Sequence, residues 1–180
     1  EMQRSLVGSE MCIRDSVQLL AYEQKKGNIN HIHGYGKHGR DTFMQSLADN
    51  GVDAGNPHFI IKEYIDNMYT CMCASDLIIT RAGAMTLTEI MAIGRASVLI
   101  PYPYAAENHQ YYNALTLQNA NAGRIIDDKE LTGSVLIDTV NRLADDPELL
   151  RLMGENAAKL SKRDVAGKIL REITELMGIK

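Results

Sequence analysis

The residues best suited to chemistry in this chain lie in short polar loops between apolar runs. Arg81-Ala82-Gly83-Ala84-Met85-Thr86 follows the apolar run Asp76-Leu77-Ile78-Ile79-Thr80 and leads into a helical pattern. Main-chain N–H groups at a helix start carry partial positive charge, which suits an anion such as a diphosphate. Ala82, Gly83 and Ala84 leave room for close approach to the backbone. A tight strand-to-helix turn needs small residues too, so the loop alone supports both readings. Glu89 is equally double-valued. Thr86-Leu87-Thr88-Glu89 has capping-box spacing, in which Glu89 reaches back to the Thr86 N–H. The same carboxylate, one turn into a helix, can instead accept two hydrogen bonds from a ribose diol. Glu107-Asn108-His109-Gln110-Tyr111-Tyr112-Asn113, after Pro101-Tyr102-Pro103-Tyr104, carries amides that both donate and accept. They suit sugar hydroxyls, and they also suit an ordinary polar helix start.

Other polar clusters are weaker. Gly34-Tyr35-Gly36-Lys37 has His38 where a phosphate loop of the P-loop type needs Ser or Thr, and reads as a turn with one basic residue. His31 and His33 share one face of a strand without a third ligand nearby in sequence, which favours exposed or hydrogen-bonded histidines over a metal pair. Cys71 and Cys73 point to different faces of a helical pattern and read as buried small hydrophobes. With Cys12 they make three cysteines, no disulfide framework, and the expectation of a reducing, cytoplasmic setting. No metal site, no cofactor and no Ser/His/Asp set is read from the chain.

The elements that must position these loops alternate regularly. Helical spacing covers residues 17–26, 41–50, 67–74 with Asp66 as cap, 86–93, 108–121, 131–144, 147–160 and 165–177. Strand patterns cover residues 28–33, 58–64, 76–80, 97–100 and 123–126. Strands that are apolar almost throughout and alternate with helices predict an α/β fold: a Rossmann-like parallel sheet with helices on both faces and a helical C-terminal tail. In such a sheet ligands sit at the carboxyl ends of strands near a switch in strand order, which directs attention to the loops after Thr80, Ile100 and Gly34.

Composition narrows the function classes. The 180 residues carry a formal net charge of −4, with no basic run, so no nucleic-acid partner is expected. The longest apolar candidate, Ser97 to Ala106, is broken by Pro101 and Pro103 and is too short to span a membrane, which leaves peripheral contact open.

Four segments occur in an ordered series: Glu63-Tyr64-Ile65-Asp66-Asn67-Met68, then Ala74 through Glu89, then Ile100-Pro101, then Glu107-Asn108-His109-Gln110 with Asn113-Ala114. Together they resemble the donor half of the MurG family of inverting N-acetylglucosaminyltransferases, from about Val17 onward. That family moves N-acetylglucosamine from UDP onto lipid-linked muramyl-pentapeptide in peptidoglycan synthesis. The resemblance implies the C-terminal half of a two-domain GT-B glycosyltransferase, with UDP-N-acetylglucosamine as partner and no metal or other cofactor. It implies that main-chain groups of Ile65 hold the uracil. The run Ala84, Met85, Thr86, Leu87, Thr88 and Glu89 would line the diphosphate and sugar, with Glu89 on the ribose diol. Gln110 would contact the N-acetylglucosamine ring, and Arg81 would lie beside the nucleotide. Ala96 stands where the family has a proline.

The resemblance assigns the acceptor site, the catalytic base and a membrane-facing apolar patch to an N-terminal domain, so no catalytic base is named on this chain. The full-length protein would work at the inner face of the cell membrane, and the isolated chain is expected to be inactive. The alternative is a one-domain UDP-sugar-binding subunit of a two-component N-acetylglucosaminyltransferase, as in the dolichol-linked enzyme. Residues 1–16 match neither. Ser5 to Ser16 looks like translated sequencing adapter and stands where the family has a Gly-rich loop, so residues 1–16 are expected to be non-native and 17–180 to be a truncated nucleotide-sugar-binding domain. The sheet is then expected to lack its first strand and to expose an edge.

Overall fold

The computed structural model describes residues 3–7, 13–36, 40–162 and 164–178. Its strands are β1 (Gln3–Val7), β2 (Ile29–Gly34), β3 (Phe59–Lys62), β4 (Leu77–Thr80), β5 (Ala96–Leu99) and β6 (Gly123–Ile125). They form one 6-stranded sheet in the order β3-β2-β1-β4-β5-β6, with every neighbouring pair parallel. The helices are α1 (Ile13–Lys26), α2 (Arg40–Asp49), α3 (Met68–Ala74), α4 (Ala84–Ile93), α5 (His109–Asn119), α6 (Gly133–Ala144), α7 (Pro147–Leu160) and α8 (Val165–Leu176). None of the described helices is long and apolar enough to cross a membrane.

A parallel sheet must be covered on both faces, and the alternation along β4 and β5 does this. Leu77, Ile79, Ala96 and Val98 enter a core shared with Leu19 of α1, Leu136 and Val140 of α6, and Met153 of α7. Ile78 and Leu99, pointing the other way, join Met72 of α3, Leu87 and Ile90 of α4, and Leu117 of α5. A third cluster packs Val17 and Leu20 of α1 against Phe43 and Leu47 of α2 and Phe59 of β3. Helix ends follow their sequence signals on α6 and α7. The Thr132 hydroxyl accepts from the Val135 N–H at 3.3 Å, and the Asp146 carboxylate accepts from the Leu149 N–H at 2.9 Å with Pro147 in the first turn. Where α4 meets α7 the backbones touch, and a Cβ at Gly154 would lie 2.6 Å from the Gly94 carbonyl oxygen. Beyond α7, α8 leaves Ile169, Leu170, Ile173 and Leu176 exposed, a helical tail as expected.

The sequence reading needs three corrections. The strand expected to be missing is present: Gln3–Val7 lies between β2 and β4, with Gln3 opposite Ile29 and Ser5 opposite Leu77. Main-chain groups make this ladder, and no edge opens there. Ile13 to Ser16 form the first turn of α1, where the Ser16 hydroxyl donates to the Ile13 carbonyl at 3.0 Å. Asp66 does not cap α3; Asn67 holds that position and makes no side-chain capping bond. Helix α4 begins at Ala84 rather than Thr86, with Gly83 in the capping position and no side-chain cap.

The strand order reverses between β1 and β4, which sets the crevice for ligands at their carboxyl ends. Residues 8–12, where the Gly-rich loop was sought and Cys12 lies, fall outside the described residues, as do Lys37 and His38 of the possible phosphate turn.

Candidate functional site

The earlier start of α4 changes what its first turn can do. Gly83 is extended (φ −67°, ψ 138°), and the first intrahelical bond runs from the Leu87 N–H to the Gly83 carbonyl at 3.0 Å. The N–H groups of Ala84, Met85 and Thr86 therefore precede the hydrogen-bond ladder, and no side chain caps them among the described residues. A Cβ at Gly83 would meet nothing within 4 Å, so neither packing nor backbone angle requires glycine there, and the space above the loop is open. Ala84 and Met85 are exposed, Thr86 half-buried. Leu87 is buried in the core and the Thr88 hydroxyl donates to the Ala84 carbonyl at 2.8 Å, so these two anchor the turn. Glu89 lies in the second turn, too far along for a capping box, and its carboxylate is exposed. The capping-box reading of Thr86-Leu87-Thr88-Glu89 is thus wrong, because the short loop after β4 lets the helix nucleate earlier on Ala84, the best helix former.

Arg81 follows β4 directly and is mostly buried, with a side chain 17% exposed. Its Nη1 pairs with Asp128 and donates to the carbonyls of Ile100 at 3.3 Å and Pro101 at 3.4 Å. The guanidinium carbon lies 5.6 Å from the centre of the Tyr102 ring. One side chain thereby ties together the carboxyl ends of β4, β5 and β6. Gln110, in the first turn of α5, accepts the Tyr102 N–H on Oε1 at 3.0 Å, which leaves its amide nitrogen without a partner among the described residues. Asn113, one turn on, donates to the Ala82 carbonyl at 3.3 Å and pins the loop after β4 to α5.

The chain entering α5 is strained. A single-turn 3₁₀ helix (Ala106–Asn108) precedes it, and Glu107 (φ 50°) and Asn108 (φ 55°) are consecutive left-handed residues that are not glycine. Such conformations cost about 1–3 kcal/mol each and cluster at ligand sites.

Ile65 follows β3, and its buried side chain joins Ala82 and Leu87 in one core cluster, with Cδ1 3.3 Å from where a Gly34 Cβ would be. Among the described residues its main-chain N–H has no hydrogen-bond partner. All the site residues inferred from the sequence therefore sit at the carboxyl ends of β3, β4 and β5, on one rim of the sheet. The roles of Asp128 and Tyr102 were not legible, because a contact spanning 47 positions leaves no local spacing to read.

His31 and His33 are buried on β2 rather than exposed, and no group of three metal-ligating side chains occurs among the described residues. His33 stacks on Phe43 at 4.7 Å, and His31 meets Phe59 edge-on at 5.7 Å. Burial lowers the His31 pKa from 6.5 to about 3, with His33 adding to the effect, and lowers that of His33 to about 4. Both stay neutral. Cys71 and Cys73 are free and half-buried on α3.

With this geometry established, the comparisons are consistent. The family model for the glycosyltransferase family 28 C-terminal domain matches residues 10–169. A protein of Desulforamulus reducens is 37% identical over 158 residues, covering 86% of this chain and 42% of its own length. One from Clostridioides difficile is 35% identical over 169 residues, covering 94% of this chain and 41% of its own. Both bear the name UDP-N-acetylglucosamine--N-acetylmuramyl-(pentapeptide) pyrophosphoryl-undecaprenol N-acetylglucosamine transferase. The chain thus spans about 42% of the length of such curated relatives. The crystal structure of Acinetobacter baumannii MurG superposes with TM-score 0.81 at 26% identity, over 97% of this chain and 50% of that one. A putative UDP-N-acetylglucosamine 2-epimerase from Listeria monocytogenes superposes at TM-score 0.74 with 13% identity, over 99% of this chain and 46% of that one, a likeness of fold alone. An uncapped, open α4 start on a parallel sheet of this order, and a family match over most of the sequence, lead to one assignment: the chain belongs to the glycosyltransferase family 28 C-terminal domain family.

Proposed function

We propose that this chain is the UDP-N-acetylglucosamine-binding half of an inverting N-acetylglucosaminyltransferase acting on a lipid-linked muramyl-pentapeptide in peptidoglycan synthesis. The observation that carries the reading is the set of unspent hydrogen-bonding groups on one rim: the N–H groups of Ala84, Met85 and Thr86, the free Glu89 carboxylate and the amide nitrogen of Gln110. In this reading the α4 start meets the diphosphate. When the bond from the sugar C1 to the diphosphate oxygen breaks, the charge left on UDP develops against those N–H donors and the helix dipole. Glu89 accepts from the ribose diol, the Ile65 main chain reads the uracil, and Gln110 donates to the sugar. Arg81 acts as a brace beside the nucleotide, since its guanidinium is already engaged by Asp128 and two carbonyls.

The acceptor site, the base and the membrane-facing patch belong, on this proposal, to the portion of the relatives' length that this chain does not span, and the whole protein works at the cytoplasmic face of the membrane. The likeness of Ser5–Ser16 to adapter sequence is part of the same reading, and the DNA upstream of Val17 tests it. Calorimetric titration tests the donor assignment directly. UDP should bind and ADP should not, and the chain alone should give no transfer to a lipid acceptor, because on this proposal the acceptor site lies in the portion of the relatives that it does not span. Failure to bind any uridine nucleotide would leave a nucleotide-binding fold without this role.

A further inference from the structure

We infer that Asp128 is a positioning residue of the donor site, acting through Arg81 on the loop that holds Gln110. This rests on the donor reading above. Asp128 follows β6, and its side chain pairs with Arg81. Their ion pair is largely withdrawn from water, with side chains 17% and 32% exposed, so solvent screens it weakly. The Arg81 nitrogen that meets Asp128 also reaches the Ile100 and Pro101 carbonyls, and the guanidinium lies against the Tyr102 ring. The Tyr102 N–H in turn donates to Gln110 Oε1 at 3.0 Å. A continuous path thus runs from a carboxylate after β6 to the amide assigned to the sugar.

Without the carboxylate, the arginine keeps only two long bonds to carbonyls and a ring face, and its charge is drawn outward to water. The Pro101–Tyr104 loop then loses its anchor, and with it the fixed orientation of Gln110. Neighbouring Asp127 makes no pair with Arg81. It lines a cleft of about 420 Å³ beside the same loop, so it serves as a control for charge alone.

The test uses the whole chain and four variants, Asp128→Asn, Asp128→Glu, Arg81→Lys and Asp127→Asn, with melting curves for each. Amide exchange at Tyr102 is followed by NMR, and UDP and UDP-N-acetylglucosamine are titrated separately. Losing a charge-assisted tie should speed Tyr102 exchange roughly tenfold in Asp128→Asn and in Arg81→Lys. UDP-N-acetylglucosamine should weaken roughly tenfold, and UDP clearly less, because the displaced group faces the sugar. Asp128→Glu should restore most of both, and Asp127→Asn should match the wild type. Wild-type exchange at Tyr102 in Asp128→Asn and Arg81→Lys would overturn the inference. So would faster exchange with an unchanged ratio of the two affinities, which would mark the tie as merely structural. If the wild type binds neither nucleotide, the donor reading falls, while Tyr102 exchange still decides whether Asp128 positions the loop.

Discussion

Two polar groups on the same sheet have opposite fates. On β2, His31 and His33 are enclosed by Phe59 and Phe43, and burial keeps both rings neutral. At the carboxyl ends of β4 and β5, every polar side chain either braces a loop or keeps part of its hydrogen-bonding capacity open: Arg81 and Asn113 are engaged, Glu89 and half of Gln110 are not. Both groups look equally chemical in sequence. What separates them is the hydrogen-bonding capacity left facing solvent after the fold has taken its share.

The largest effect expected from this contrast is on acid stability. Both histidines have folded values below the ordinary 6.5, so the unfolded chain takes up protons first as pH falls. Their contribution is whole above about pH 6.5 and is lost on the way down, towards about pH 4 for His33 and about pH 3 for His31, at about 1.4 kcal/mol per histidine per pH unit. Between pH 7 and pH 4.5 the loss should reach about 5 kcal/mol, comparable with the whole stability of an ordinary domain. Glu23, whose pKa burial raises, acts in the opposite sense and is unaffected by changes on β2. Urea unfolding at the two pH values measures the loss, and His33→Phe, which keeps a ring against Phe43, should remove about half of it. A wild type equally stable at both pH values would break the comparison.

A smaller effect belongs to the open region. Glu89→Gln should weaken UDP by roughly 1–3 kcal/mol, the scale of a hydrogen bond to a charged group. Its melting temperature should not move, because Glu89 lies beyond the first turn of α4 and its carboxylate makes no hydrogen bond or ion pair among the described residues. A destabilised variant with unchanged UDP affinity would return Glu89 to a structural role. Smaller still is the strain before α5: Glu107→Gly should stabilise the chain by up to about 1 kcal/mol, the left-handed penalty less the entropy cost of glycine. A loss of stability in the melting curve would show that the Glu107 side chain, not the bend, matters.

The sequence made the strands and most helices legible because a sheet buried on both faces needs apolar runs such as Leu77–Thr80, which no helix period explains. It misled where local spacing met chain geometry. Thr86-Leu87-Thr88-Glu89 spells a capping box, yet the chain leaving β4 turns at Gly83 and begins α4 on Ala84. Gln3–Val7 was missed because the likeness of Ser5–Ser16 to adapter sequence sets residues 1–16 apart from the fold, whereas the chain pairs them between β2 and β4. His31 and His33 misled because burial beneath Phe43 and Phe59 depends on α2 and β3, not on the strand that carries them.

The central claim is that main-chain N–H groups at the start of α4 receive the diphosphate, and Ala84→Pro tests it most directly. Proline is tolerated at the first helical position, and Gly83, at φ −67° and ψ 138°, already has the conformation a residue before proline prefers. Stability should stay within about 0.5 kcal/mol of the wild type, since the lost N–H has no partner among the described residues. UDP affinity should fall by roughly 1–3 kcal/mol, with uridine affinity unchanged, because only the diphosphate meets that N–H. A folded Ala84→Pro chain that binds UDP as tightly as the wild type would contradict the account.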